Sequence, residues 1–115
     1  YAGHAHDPGW FTTAPIPATN KLLESLNWSA DEVDLYEVNE AFAVVPMAFM
    51  TELKIPREKI NVNGGACSLG HPIGASGARI LVSLINSLSL RGLKKGVAAI
   101  CIGGGEALAI AIEVD

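Results

Sequence analysis

GVAAICIGGGEALAIAIEV, residues 96–114, is the stretch that decides the fold. Gly96 to Ile102 is an apolar run of strand length; Gly103, Gly104 and Gly105 make a turn; EALAIAIEV is a last strand. Three residues are too few for a crossover, so the last strand is expected to pair antiparallel to its predecessor. Moving upstream, Ala75 to Leu90 is the longest helical pattern, closed by Gly92. KINVN, 59–63, reads as a short strand, and Ala41 to Leu53 as a helix in which Pro46 marks a kink or a late start. DLYEV, Asp34 to Val38, is another strand, preceded by a short helical turn that Ser29 opens as a cap. Ala18 to Leu26 follows Pro17 as a helix with Leu22, Leu23 and Leu26 on one face. Tyr1 to Ala5 is the end of a strand, and the residues between it and that helix read as loop. Strands alternating with helices predict one α/β domain over residues 1–115: a mixed, mostly parallel sheet with helices on both faces and the last strand antiparallel.

Composition narrows the classes of function. Half of the 115 residues are apolar and 17% are charged, which suits a packed domain and argues against disorder. The net charge of −4 comes with no basic block, so neither nucleic acid nor an anionic membrane is an expected partner. No apolar run reaches about 18 residues, and no signal peptide is seen. Two cysteines, Cys67 and Cys101, make no disulfide scaffold and point to a reducing compartment, hence the cytoplasm. The helix ASGARILVSLINSLSL carries a single charge, Arg79, with apolar and small residues on every side. Either it is an ordinary inner helix whose Ser and Asn meet water, or a second layer covers it.

The carboxyl ends of strands in an open α/β sheet form the ligand crevice. Asn39 and Glu40 follow one strand, the loop NGGACSLGHPIGASGAR (63–79) follows another, and Cys101 with the glycine triplet ends a third. An amide, an imidazole and a thiol are therefore expected at one rim. His71 precedes Pro72, which suits a first helical position, so it should stand near the N-cap of the next helix, where the dipole favours a neutral ring. It either caps that helix or handles a proton. Cys101 is a small buried hydrophobe or a reactive thiol; the glycines after it offer backbone N–H groups to an oxyanion. Asn39 caps the following helix or holds a ligand, and Glu40 is a solvated or hydrogen-bonded acid. Cys67 and His71 with the distant His4 and His6 form no zinc pattern, and the glycines match neither a P-loop nor a dinucleotide fingerprint.

Three motifs taken together, NEAFA (39–43), NVNGGACSLGHPIGASGARI (61–80) and CIGGGEALAIAIE (101–113), resemble the C-terminal domain of thiolases, closest in look to their biosynthetic, acetyl-CoA acetyltransferase branch. The resemblance covers essentially the whole chain. It implies a fold of two similar halves with two central helices between their sheets, the helix after His71 being one of these. It also implies Claisen chemistry on acetyl-CoA, giving acetoacetyl-CoA and CoA or the reverse, with CoA thioesters as substrates and no cofactor or metal. By motif, His71 would activate the nucleophile and help hold the second thioester oxygen, Asn39 would hold a water in that oxyanion hole, Cys101 would be the acid/base at the α-carbon, and the Gly103 N–H would stabilise the acetyl-enzyme oxyanion. The family's nucleophilic cysteine belongs to an N-terminal half not seen here, and Cys67 does not stand in its context. The chain is accordingly expected to be a fragment with its first strand, central in the family's sheet, truncated, inactive without the N-terminal thiolase half, and part of a homo-oligomer in the full-length enzyme. A degradative 3-ketoacyl-CoA thiolase is the alternative within the family, and a non-catalytic self-associating module the alternative outside it.

Overall fold

The computed structural model describes all 115 residues. Four strands form one mixed sheet: β1 (Ala2–Ala5), β2 (Leu35–Val38), β3 (Lys95–Cys101) and β4 (Glu106–Glu113), in the order β1-β4-β3-β2. β2 and β3 are parallel, whereas β4 is antiparallel to both β3 and β1. Three strands thus run one way and the last runs against them, as expected, but because β4 lies between two of them, antiparallel ladders outnumber parallel ones. The expected central position of the first strand is corrected: β1 is an edge strand, paired to β4 alone.

Helices α1 (Pro15–Leu26) and α2 (Val44–Leu53) cover one face, and α4 (Ser76–Arg91) lies on the other, against β2 and β3. α1 starts earlier than the leucine pattern implies, because Pro15 and Pro17 both sit in its first turn, where a missing N–H costs nothing. Leu22 and Leu23 are buried as expected, whereas Leu26 at the helix end is 40% exposed. Pro46 marks a late start of α2, as its third residue, rather than a kink. The supposed loop before α1 holds a 3-10 turn, Pro8–Thr13, held at its start by the Asp7 carboxylate accepting from the Gly9 N–H at 2.8 Å.

The expected strand 59–63 does not form. Ile60 makes only a single parallel bridge to Tyr36, because Asn61 takes a left-handed φ of 46° that turns the chain off the sheet. The Asn61 side chain does the pairing instead. Its Oδ1 accepts from the Val38 N–H at 2.8 Å, and its Nδ2 donates to the Val38 carbonyl at 2.9 Å. One buried amide thus satisfies both backbone groups at the end of β2, which would otherwise be orphaned.

The core is asymmetric. On the α1 side, sixteen buried residues, among them Leu22, Val38, Phe49 and Val97, form one cluster, with Tyr36 and Phe49 edge to face at 5.8 Å. On the α4 side only Leu35, Ile80, Leu84, Leu88 and Ala98 are buried together. An apolar groove remains there between α4 and β4, lined by Ile80, Leu81, Ile100, Leu108 and Ile110.

Candidate active site

Three chain segments meet beyond the carboxyl ends of β2 and β3. Asn39 extends β2, with its N–H donating to the Ala99 carbonyl at 2.9 Å, and is fully buried. It does not cap α2, whose N-cap is Ala43. Cys101 ends β3 at 7% exposure, and burial pushes its thiol up, so the protonated form is favoured. The glycine triplet then makes the turn, with the Gly105 N–H donating to the Ile102 carbonyl at 3.1 Å. Gly105 must be glycine there: φ is +103°, and a Cβ would run into the His6 carbonyl oxygen. The Gly103 N–H has no backbone partner in the turn and is a free donor.

The third segment is the loop before α4. It contains a one-turn helix, α3 (Ala66–Leu69), which the sequence does not announce, followed by Gly70 at φ +92°. Glu40 holds this loop. Its carboxylate accepts from the Cys67 N–H at 2.9 Å and from Asn61 Nδ2 at 3.0 Å, and a Cβ on Gly65 would collide with it. Burial alone would raise the Glu40 carboxyl, but those hydrogen bonds outweigh it and hold the group below its ordinary value. Glu40 is therefore a structural anchor rather than a solvated acid. Cys67 is exposed on the other side of that contact, and burial together with the Glu40 carboxylate raises its thiol.

His71 does not stand at the helix N-cap. The regular helix starts at Ser76, and a separate turn precedes it, in which the Pro72 carbonyl accepts from the N–H groups of Ala75 at 2.7 Å and Ser76 at 2.9 Å. The ring lies one turn out, with Nε2 3.4 Å from Asn39 Nδ2 and Nδ1 2.6 Å from Ser76 Oγ. His71, Cys101 and Gly103 line one hollow of about 470 Å³, whose apolar walls are Phe11, Phe42, Ile73, Ile100 and Ile102. Phe11 and Phe42 meet edge to face at 6.2 Å on its side. The fold thus brings all four expected residues to one rim: three on the hollow itself and Asn39 behind His71.

A protonated thiol, an imidazole and an unpaired backbone N–H around an apolar hollow can move a proton at carbon and hold a carbonyl oxygen as it gains charge. No group of three or more His, Cys, Asp or Glu side chains is gathered in metal-binding geometry. Sequence reasoning missed Asn61 and Ser76. The signals were an Asn in a strand-like run, since Asn tolerates left-handed backbone, and a Ser placed four residues after a proline that opens a turn. Close by, on the α4 side of β2, Glu37 is buried with Arg79 Nη1 at 3.4 Å, leaving Glu37 Oε1 and Arg79 Nε without partners. Burial drives its carboxyl up, the Arg79 charge opposes this only in part, and the value rises to about 7.

Residues 1–114 match the family described as Thiolase, C-terminal domain. An acetyl-CoA acetyltransferase of Allochromatium vinosum is 48% identical over 98% of this chain, which spans 29% of that protein. A Bacillus anthracis acetyl-CoA acetyltransferase superposes on 97% of the chain with a TM-score of 0.95 at 50% identity, over 28% of its own length. A thiolase of Ascaris suum, in complex with coenzyme A, gives a TM-score of 0.91 at 47% identity over 97% of the chain and 29% of its own. The chain thus spans less than a third of the relatives it matches.

Proposed function

This chain belongs to the thiolase family, as its C-terminal domain, and we propose that it supplies the proton-handling half of an acetyl-CoA C-acetyltransferase site, which condenses two acetyl-CoA to acetoacetyl-CoA and CoA or runs the reverse. The observation that supports this most is the shared hollow, where His71, Cys101 and Gly103 meet, with Asn39 packed against the imidazole. His71 activates a nucleophilic thiol supplied by the N-terminal thiolase half and then helps hold the thioester oxygen of the second substrate. Asn39 keeps a water in that oxyanion hole. Cys101 exchanges a proton with the substrate α-carbon; its buried, protonated thiol is suited to the donor half of that exchange. The Gly103 N–H, free in the turn, meets the oxyanion of the acetyl-enzyme. CoA thioesters are the substrates, and no cofactor or metal is needed.

The open α4 side gives the N-terminal half somewhere to dock, and the assembled enzyme is a cytoplasmic homo-oligomer. No helix here is long and apolar enough to cross a membrane, and two of the relatives are described as cytosolic, one of them from mouse. The test is acetoacetyl-CoA cleavage by the full-length protein that carries this domain. Cys101→Ser and His71→Ala should each lower kcat by about 10²–10⁴, the usual worth of a positioned acid or base, and the 115-residue chain alone should show no cleavage. Wild-type rates in both variants, or turnover by the chain alone, overturn the assignment.

A further inference from the structure

One side chain ties together two separate parts of the hollow's lining. His6 follows β1 and stands just ahead of the 3-10 turn that carries Phe11. Its main chain is fixed to the glycine turn: the His6 N–H donates to the Gly105 carbonyl at 3.1 Å, and the His6 carbonyl lies so close to Gly105 that no Cβ fits between them. Its side chain reaches the other way. His6 Nε2 lies 2.7 Å from the Trp10 carbonyl oxygen, and because a carbonyl only accepts, Nε2 carries the proton and donates it. Thr13 Oγ1 donates to the same oxygen at 2.9 Å, so both of its lone pairs are used.

That carbonyl stands at a bend. Trp10, at φ −111° and ψ 16°, departs from helical values inside the 3-10 segment. The Trp10 carbonyl and the Phe11 N–H belong to one planar peptide unit, so holding the oxygen fixes the plane from which Phe11 springs. Phe11 packs against the larger core cluster, meets Phe42 edge to face at 6.2 Å, and walls the hollow that His71, Cys101 and Gly103 share. A donor on a residue anchored to the glycine turn thus sets the Phe11 wall relative to Gly103.

We propose that His6 is a positioning residue that sets how far the Phe11 ring closes the hollow, and thereby favours short acyl chains over longer ones. This rests on the acetyltransferase reading above, which it deepens. With both donors in place, the Trp10–Phe11 peptide is held in one orientation and the Phe11 ring stays against Phe42. With the His6 donor removed, the Thr13 hydroxyl alone does not fix the plane, and the ring is free to swing aside. An apolar wall that moves outward admits further methylene groups, and burying them favours the longer substrate. The short substrate gains no such burial.

The test compares cleavage of acetoacetyl-CoA and of 3-ketohexanoyl-CoA by the full-length protein that carries this domain. His6→Leu should lower the ratio of the two kcat/KM values, acetoacetyl-CoA over 3-ketohexanoyl-CoA, by about threefold to tenfold, the scale set by one hydrogen bond. His6→Gln places an amide N–H near the position of Nε2 and should restore the ratio to within about twofold. It too loses the edge-to-face contact of His6 with His4 at 5.1 Å, so its recovery separates the hydrogen bond from ring packing. In a crystal structure of His6→Leu the Phe11 ring should lie about 1 Å or more from its wild-type place, a displacement large enough to be felt in catalysis. A His6→Leu protein whose ratio is unchanged, or that loses both activities alike, overturns the proposal, as does a His6→Gln protein as altered as His6→Leu. If His6→Leu does not fold, Thr13→Val removes the other donor to the same oxygen and should shift the ratio in the same direction; no shift overturns the proposal. Should wild type cleave neither thioester while the Phe11 ring still moves in His6→Leu, the acetyltransferase reading falls and the His6 anchor stands.

Discussion

On the α1 side of the sheet, sixteen buried residues close into one cluster under α1, α2 and the 3-10 turn. On the α4 side, five are buried, while Val82, Ile85 and Leu108 remain 67%, 45% and 50% exposed. The same four strands feed both faces, so the difference lies in what covers them. The α1 side is finished by this chain's own helices and holds most of its buried core. The α4 side carries apolar groups toward water on the helix and on β4 alike, as a surface built to be covered does. The site lies where the two meet: Cys101 belongs to the closed cluster, and His71 hangs from the turn that leads into α4.

The strongest blow to the closed face is Phe49→Ala. Phe49 is fully buried against Tyr36, and its loss should cost about 3–5 kcal/mol in urea unfolding. A cost near zero would show that the closed face does not carry the fold. Asn61→Ala should come next, at about 2–3 kcal/mol, because it leaves both backbone groups of Val38 and one Glu40 oxygen without a partner. Asn61→Gly suits the left-handed backbone but restores none of those bonds, so its cost separates hydrogen bonding from strain.

Glu37 tests the α4 side by pH. Its carboxyl is raised to about 7 in the folded chain, so folding favours its protonated form. That contribution is fully present below the ordinary carboxylate range near 4.5 and is lost as pH rises through about 7. Stability should therefore fall by on the order of 1–2 kcal/mol between pH 5 and 8 in wild type. Glu37→Gln should flatten that slope, as thermal melts across the range would show; an equal slope in both proteins would remove Glu37 as its source. The smallest effect belongs to the open face. Val82→Ser should shift unfolding by no more than about 0.5 kcal/mol, because the side chain is 67% exposed. A large loss of stability would mean that Val82 is already packed in the isolated chain.

Much of this was legible in the sequence. The pair β3–β4 and the glycine turn between them follow from one apolar run, three glycines and a second run, and the long helix before them ends at Gly92 as its pattern indicates. Asn39 and Gly103 stand out because each follows a strand, and Cys101 because it closes one, whereas the pattern places His71 behind a strand over 59–63 that does not form. What was not legible depended on contacts between distant residues. KINVN has strand composition, but Asn61 pairs through its side chain with Val38, 23 positions away, and no local pattern records that. Glu40 reads as a solvated or a hydrogen-bonded acid, and the second holds, but its partners, Asn61 and the Cys67 N–H, lie 21 and 27 positions away. His71 looked like a cap because Pro72 suits a helix start, yet the chain spends one more turn before Ser76.

The sequence by itself determined the kinds of element, the antiparallel return of the last strand, the family, and which polar side chains end up beside strand termini, since these depend on local periodicity, turn length and motif. Only the tertiary structure decided that β4 lies between β1 and β3, that an asparagine amide stands in for a missing strand, and that the imidazole is held between Ser76 and Asn39. Each of those is a choice among partners far apart along the chain, settled by which packing leaves the fewest buried donors and acceptors unpaired.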